Sequence, residues 1–117
     1  MGHVRVEAKL ANPITGEEIK VTALVDTGAT FTVIPWRVYE KSNLKIAGRK
    51  RVKTFKGYLG LDESFAVVET KGRRGVTPLL VSRELSEVLV GVVTLEILGL
   101  AVDPTTGKLR ETRILLL

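Results

Sequence analysis

The 117-residue sequence contains no cysteine, one histidine and one tryptophan, and only 5% of it is aromatic. Without cysteine there is no disulfide framework, no thiolate zinc site and no cysteine nucleophile. A single histidine, His3 beside the N-terminus, supports neither a Ser-His-Asp triad nor a multi-histidine metal centre. No apolar run approaches the roughly 20 residues that span a bilayer. Met1 to Leu10 alternates charge with apolarity instead of forming a signal-peptide core. Met1-Gly2 opens like a myristoylation signal, but Val6 stands where that signal has Ser or Thr. These absences lead us to expect a cytoplasmic domain spanning residues 1–117, with no membrane attachment, no metal and no cofactor. Its chemistry must rest on carboxylates, hydroxyls, lysines or the backbone.

What is present is the balance of a folded chain, 44% hydrophobic and 26% charged. With aromatics scarce, Val, Leu and Ile must build the core, and β-branched residues favour strands. The formal charge of +5 is concentrated locally, at Lys45, Arg49, Lys50, Arg51, Lys53 and Lys56 and again at Lys71, Arg73 and Arg74. Basic stretches can serve nucleic acid. Here only Phe55 and Tyr58 accompany the first cluster and no recognition motif frames it, so a solvated surface is the expectation and nucleic acid is an unlikely partner.

Strict alternation over residues 4–10 marks a half-buried strand (Val4, Val6, Ala8 and Leu10 against Arg5, Glu7 and Lys9). Turn chemistry at Asn12-Pro13-Ile14-Thr15-Gly16 leads to a second strand, Glu18 to Val25. Thr30 to Pro35 is again β-branched, and a short helix begins near Pro35 and runs to about Lys41. Arg49 to Phe55, Ser64 to Glu69 and Val76 to Val81 read as strands. Val92 to Leu98 reads as a short helix stopped by Gly99, and Leu109 to Leu117 as a final strand after the turn at Asp103-Pro104-Thr105-Thr106-Gly107. Many short strands with one or two small helices predict a mostly β barrel or sandwich.

The chemically informative segment is Ala23-Leu24-Val25-Asp26-Thr27-Gly28-Ala29-Thr30-Phe31-Thr32-Val33-Ile34. A carboxylate here follows three apolar residues and precedes a glycine turn and another apolar strand, and burying an unpartnered carboxylate is costly. Taken alone, Asp26 could merely start a turn in which Gly28 supplies a positive φ. The segment resembles the active-site loop of retropepsins, the retroviral-type aspartic proteases, with Asp26, Thr27, Gly28 and Ala29 matching it position for position. Downstream, Val88-Leu89-Val90-Gly91 and the residues to Leu100 resemble that family's hydrophobic-hydrophobic-Gly segment and the helix after it. The stretch from Leu98 to Leu109 is similar to small cellular members of the group found in prokaryotes.

The resemblance implies a closed barrel that acts as a two-fold homodimer and as an aspartic endopeptidase. Such chemistry needs two carboxylates sharing a proton, whose pKa values split because both cannot ionise at close range. This chain has one Asp-Thr-Gly, while Asp62 lies in a polar stretch and Asp103 in a turn. A two-fold axis resolves the shortfall by bringing Asp26 to its own copy. By the same resemblance, Thr27 bonds across the dimer, the Gly28 backbone approaches an extended peptide or unfolded protein substrate, and Ala29 leaves room beneath the site. Val90 and Gly91 pack beside the loop. A covering hairpin, or flap, is expected between Arg51 and Val68, with Lys56, Gly57, Tyr58, Leu59 and Gly60 near its tip. The terminal strands, Val4 to Leu10 and Arg113 to Leu117, are candidates for the dimer sheet. Two rival readings remain open at this point: a dimeric peptide-binding module of the same fold with weak or no catalysis, and a basic β-barrel binding nucleic acid through residues 45–56.

Overall fold

The computed structural model describes residues 4–114 and 116. Along the chain come β1 (Val4–Ala11), β2 (Glu18–Val25), β3 (Thr32–Pro35), α1 (Trp36–Lys41), β4 (Gly48–Thr54) and β5 (Gly57–Thr70). These are followed by β6 (Arg73–Ser82), β7 (Val88–Val90), α2 (Val92–Leu98), β8 (Leu100–Val102) and β9 (Leu109–Glu111). Seven strands share one sheet in the order β1-β2-β7-β3-β6-β5-β4, and β1 also pairs with β5. That last pairing closes six strands into a barrel and leaves β4 outside as the free arm of the β4–β5 hairpin. The fold is therefore mostly β, a closed barrel carrying two short helices. Among the described residues no helix is long and apolar enough to cross a membrane.

The elements follow from local chemistry. Alternation in β1 buries Val6, Ala8 and Leu10, which meet Ala23 and Val25 of β2 in one core with Ile34, Leu79, Val88 and Val90. The β1–β2 turn is held by Asn12, whose Oδ1 accepts from the Ile14 and Thr15 amides at 2.8 and 3.1 Å. The Asn12 amide side chain then donates to the Asn43 carbonyl at 2.7 Å, tying the turn to the end of α1. The β5–β6 hairpin closes through Lys71-Gly72, both at positive φ as a two-residue hairpin turn requires. At the end of α2, Gly99 takes the left-handed conformation (φ 69°) that stops a helix.

The structure departs from the sequence reading in four places. β5 begins at Gly57, well before Ser64, because it pairs with β4 and β6 in succession along its length. Val88–Val90 and Leu100–Val102 are strands, too short to show a period in sequence. The final strand ends at Glu111, where its short partner β8 runs out of residues to pair. Arg113 and Ile114 are therefore not in a strand, and Leu115 and Leu117 lie outside the described residues, as does His3. Finally, β6 begins at Arg73, ahead of the expected Val76, because it stays paired with β5 up to the Lys71-Gly72 turn.

Candidate active site

Asp26 stands at the point where β2 leaves the sheet. β7 runs parallel to β2 with Val25 opposite Val90, and the Asp26 amide extends that ladder by donating to the Val90 carbonyl at 2.9 Å. The chain then turns sharply, the Ala29 amide donating to the Asp26 carbonyl at 3.1 Å and the Gly28 amide to Asp26 Oδ1 at 2.9 Å. One carboxylate oxygen is thus fixed by backbone while the side chain remains half-buried. A Cβ built on Gly28 would stand 3.2 Å from that oxygen, so the residue after Thr27 must be small for the amide to reach it. Thr27 and Gly28 are exposed, and Ala29 is half-buried.

The loop is clamped from below by the start of α2. The first amides of a helix lack partners within it. Here those of Val92 and Val93 donate to the carbonyls of Ala29 and Thr30, each at 2.9 Å. Gly91 makes this approach feasible. A Cβ there would lie 2.6 Å from the Phe31 carbonyl carbon and oxygen and 2.8 Å from the Thr30 oxygen. Its amide donates to Thr32 Oγ1 at 3.1 Å. Val90 and Gly91 therefore hold the Asp26 loop through their backbones.

Beneath Gly91 runs a chain of buried hydroxyls that sequence reasoning did not single out. Thr32 Oγ1 lies 2.6 Å from Thr94 Oγ1, Thr94 Oγ1 lies 2.8 Å from Thr77 Oγ1, and Thr77 donates to the Pro78 carbonyl at 3.1 Å. Each hydroxyl has one proton, so the last bond fixes the direction of all the others. Thr32 donates to Thr94, and Thr94 donates to Thr77. Thr32 is thereby left with an acceptor lone pair facing Gly91. The available signal was a threonine at position 94, a residue type that seeks a partner when buried, in a helical run that is apolar apart from it and Glu96.

Alternation separates core from outer face around the loop. Ile34 and Val90 belong to the core, whereas Leu24, Leu89 and Val33 occupy the opposite face in adjoining register, followed by Leu80. This outer apolar row leads across β5 to the β4–β5 hairpin, where Lys50 and Val52 lie opposite Leu61 and Leu59. The hairpin reaches back towards the loop through Lys50, whose ammonium sits 5.5 Å from the centre of the Phe31 ring. Its turn is Phe55-Lys56, one step before the expected glycine-centred tip, and Gly57, Tyr58, Leu59 and Gly60 already belong to β5.

The other two aspartates have partners of their own. Asp62 pairs with Arg49 at 2.8 Å. Asp103 accepts from the Thr105 hydroxyl and amide at 2.6 and 2.9 Å, and those bonds hold its carboxyl below the ordinary aspartate range. One surface depression of about 370 Å³ lies on the hairpin, lined by Arg49, Lys50, Arg51, Tyr58, Leu59 and Gly60. Another, of about 380 Å³, lies among β1, β2 and the β5–β6 turn. Asp26 lines neither.

No protein-family model matches the sequence, and no curated protein matches it. Solved structures do. The solution structure of simian foamy virus (mac) protease matches with a TM-score of 0.58 at 23% identity, over 79% of this chain and 91% of that one. EIAV protease complexed with the inhibitor HBY-793 matches with a TM-score of 0.65 at 18% identity, over 84% of this chain and 89% of that one. A foamy viral protease-reverse transcriptase in complex with an RNA/DNA hybrid matches over 78% of this chain but only 11% of that much longer one, with a TM-score of 0.55 at 16% identity. At these identities the likeness establishes the fold, which is that of the retroviral proteases.

Proposed function

We propose that this chain is one subunit of a homodimeric aspartic endopeptidase, a small cellular relative of the retroviral enzymes, with Asp26 from each subunit forming the catalytic pair. The observation that carries the reading is the treatment of Asp26. A strand end, a glycine amide and the first turn of a helix all serve to hold one half-buried carboxylate at a loop tip. Asp62 and Asp103 are engaged elsewhere, so the second carboxylate has to come from a second copy.

In the proposed reaction the paired carboxylates share one proton. The ionised member takes a proton from a water molecule as its oxygen attacks the peptide carbonyl, and the protonated member donates to the carbonyl oxygen. Collapse of the tetrahedral intermediate expels the amine, which leaves with a proton, and the pair returns to its singly protonated state. The two apparent pKa values belong to the pair and not to either residue. Gly28 orients Asp26; Thr27, exposed at the loop tip, bonds its counterpart across the axis; and the outer apolar row with Leu89 and Val33 takes apolar substrate side chains. The β4–β5 hairpin, carrying Lys56, Gly57, Tyr58, Leu59 and Gly60, covers an extended peptide.

The test is hydrolysis of an unfolded protein such as casein from mildly acid to neutral pH, with Asp26→Asn alongside and sedimentation of both proteins. The expected result is a bell-shaped pH profile from a dimer, with Asp26→Asn reducing kcat/KM by at least about 10²–10⁴-fold. A folded dimer that binds unfolded chains without cutting them would instead be a peptide-binding module. A chain that stays monomeric at every concentration would exclude the shared pair.

A further inference from the structure

The outer apolar row has two charged ends. Across the sheet Arg5 lies opposite Leu24, Leu24 opposite Leu89, Leu89 opposite Val33, Val33 opposite Leu80 and Leu80 opposite Glu63. Directly paired residues share a face, so all six side chains stand on the outer one. Each end carries an ion pair. Glu63 meets Lys50 at 3.5 Å, and its side chain is only 17% exposed. At the other end Arg5 Nη1 donates to Glu87 Oε1 at 3.0 Å, and the Glu87 side chain is 42% exposed. Among the described residues the second oxygen of Glu87, Oε2, accepts no hydrogen bond.

Three arginines hold the loop that carries Glu87. This loop, residues 83–87, joins β6 to β7 and is mostly exposed. The Arg83 guanidinium stacks 3.8 Å from the centre of the Trp36 ring at the start of α1. Arg37, also of α1, donates to the Ser86 carbonyl at 3.0 Å, and Arg5 of β1 takes Glu87. Where the loop leaves β6, Ser82 Oγ accepts from the Glu84 and Leu85 amides at 3.1 and 3.2 Å. An exposed ion pair by itself contributes little. Here it closes a set of clamps, from α1 on one side and β1 on the other, that fixes a half-exposed carboxylate at the end of the apolar row. Two residues later the chain presents Leu89 on that row.

We propose that Glu87 selects substrates that carry a basic side chain beside their apolar core, the cation seating on its open oxygen while Arg5 keeps the other. The inference rests on the endopeptidase reading and adds a substrate class to it. The sign follows from the charges on that face. Arg5 and Glu87 neutralise each other, and the next charge along β1 on the same face is Glu7, whose carboxylate accepts from the Thr22 hydroxyl at 3.0 Å. Lys9 lies two residues further on, between Lys20 and Glu69. A substrate carboxylate would therefore meet two carboxylates and one arginine already engaged, whereas a lysine or arginine meets an open acceptor. The proposed two-fold axis repeats the seat, so each flank of a bound peptide has its own Glu87.

The test uses fluorescent peptides with one shared apolar cleavage core, flanked on both sides by Lys, Gln or Glu. Binding is read by anisotropy on full-length Asp26→Asn, and kcat/KM is read on the wild type. At low salt the Lys peptide should be favoured over the Gln peptide about 2- to 30-fold, as two exposed ion pairs allow, and the preference should fade as salt rises. Such a preference opposes the chain's net charge of +5 and so reports a local seat. It should vanish in Glu87→Gln and survive Glu18→Gln, at the far end of β2. The exchange Arg5→Glu/Glu87→Arg keeps a bridge between β1 and the loop and should turn the preference to the Glu peptide. Equal treatment of the Lys and Gln peptides by the wild type overturns the proposal, and so does a Lys preference that persists in Glu87→Gln. A wild-type preference for the Glu peptide overturns it in favour of Arg5 as the seat. If the Lys preference in binding depends on Glu87 while no peptide is cut, the selectivity stands and the endopeptidase reading falls. If all peptides are cut alike, the reverse holds.

Discussion

Replacing Thr94 by valine removes one oxygen from the middle of the buried hydroxyl chain and changes the side-chain volume little. Thr32 then has no acceptor for its proton, and Thr77 loses the donor that faced it, though it keeps its own bond to Pro78. All three threonines are at most 1% exposed, so water cannot substitute without opening the core. A buried polar group left without its partner costs about 1–3 kcal/mol. A loss of about 2 kcal/mol moves a urea midpoint by about 1 M when the slope is about 2 kcal/mol/M. Thr94→Ser keeps the hydroxyl and gives up one methyl, a cost nearer 0.8 kcal/mol. The assay is urea unfolding of the two variants at one fixed chain concentration, because dimerisation adds to apparent stability. Valine should be clearly worse than serine, the opposite of what hydrophobicity alone would order. A valine variant as stable as the serine variant would show that the chain of hydroxyls contributes nothing.

Gly91→Ala should cost at least the 1–3 kcal/mol usual for overpacking, because the added carbon meets the Phe31 and Thr30 backbone and not a flexible side chain. Peptide hydrolysis should fall more than the unfolding midpoint alone explains, since the same atoms hold the Asp26 loop; unaltered activity would detach Gly91 from the site. Asp103 should titrate below an unstructured aspartate by NMR, and Thr105→Ala should raise its midpoint, since the Thr105 hydroxyl is the main cause of the depression. With its folded value depressed, the stability Asp103 contributes is present above the unfolded value and is lost as pH falls through the folded one. An Asp103 midpoint indifferent to residue 105 would refute that cause.

Elements with a local signal are legible in the residues alone. Alternation gave β1, the turn at Asn12 to Gly16 and the apolar run to Val25 gave β2, both with nearly their observed ends, and Gly99 stopped α2 where a left-handed residue was required. The Asp-Thr-Gly-Ala segment was legible because a carboxylate at the end of an apolar strand is chemically out of place unless something uses it. Features that depend on distant partners are set by the folded chain. β7 and β8 are three residues each, too short for any periodicity, and exist because neighbours offer them hydrogen bonds. The alternation that separates Val33 from Ile34 and Leu89 from Val90 becomes inside and outside only once the barrel closes through β1 and β5. The pairing of β3 with β6 and the packing of α2 against both bring Thr32, Thr77 and Thr94 together from three separate elements, at distances no spacing along the chain could reveal. Asp26 and the local turn to Gly28 and Ala29 are readable in the chain, but the bond from the Asp26 amide to the Val90 carbonyl and the clamp from α2 join segments that the chain itself holds far apart.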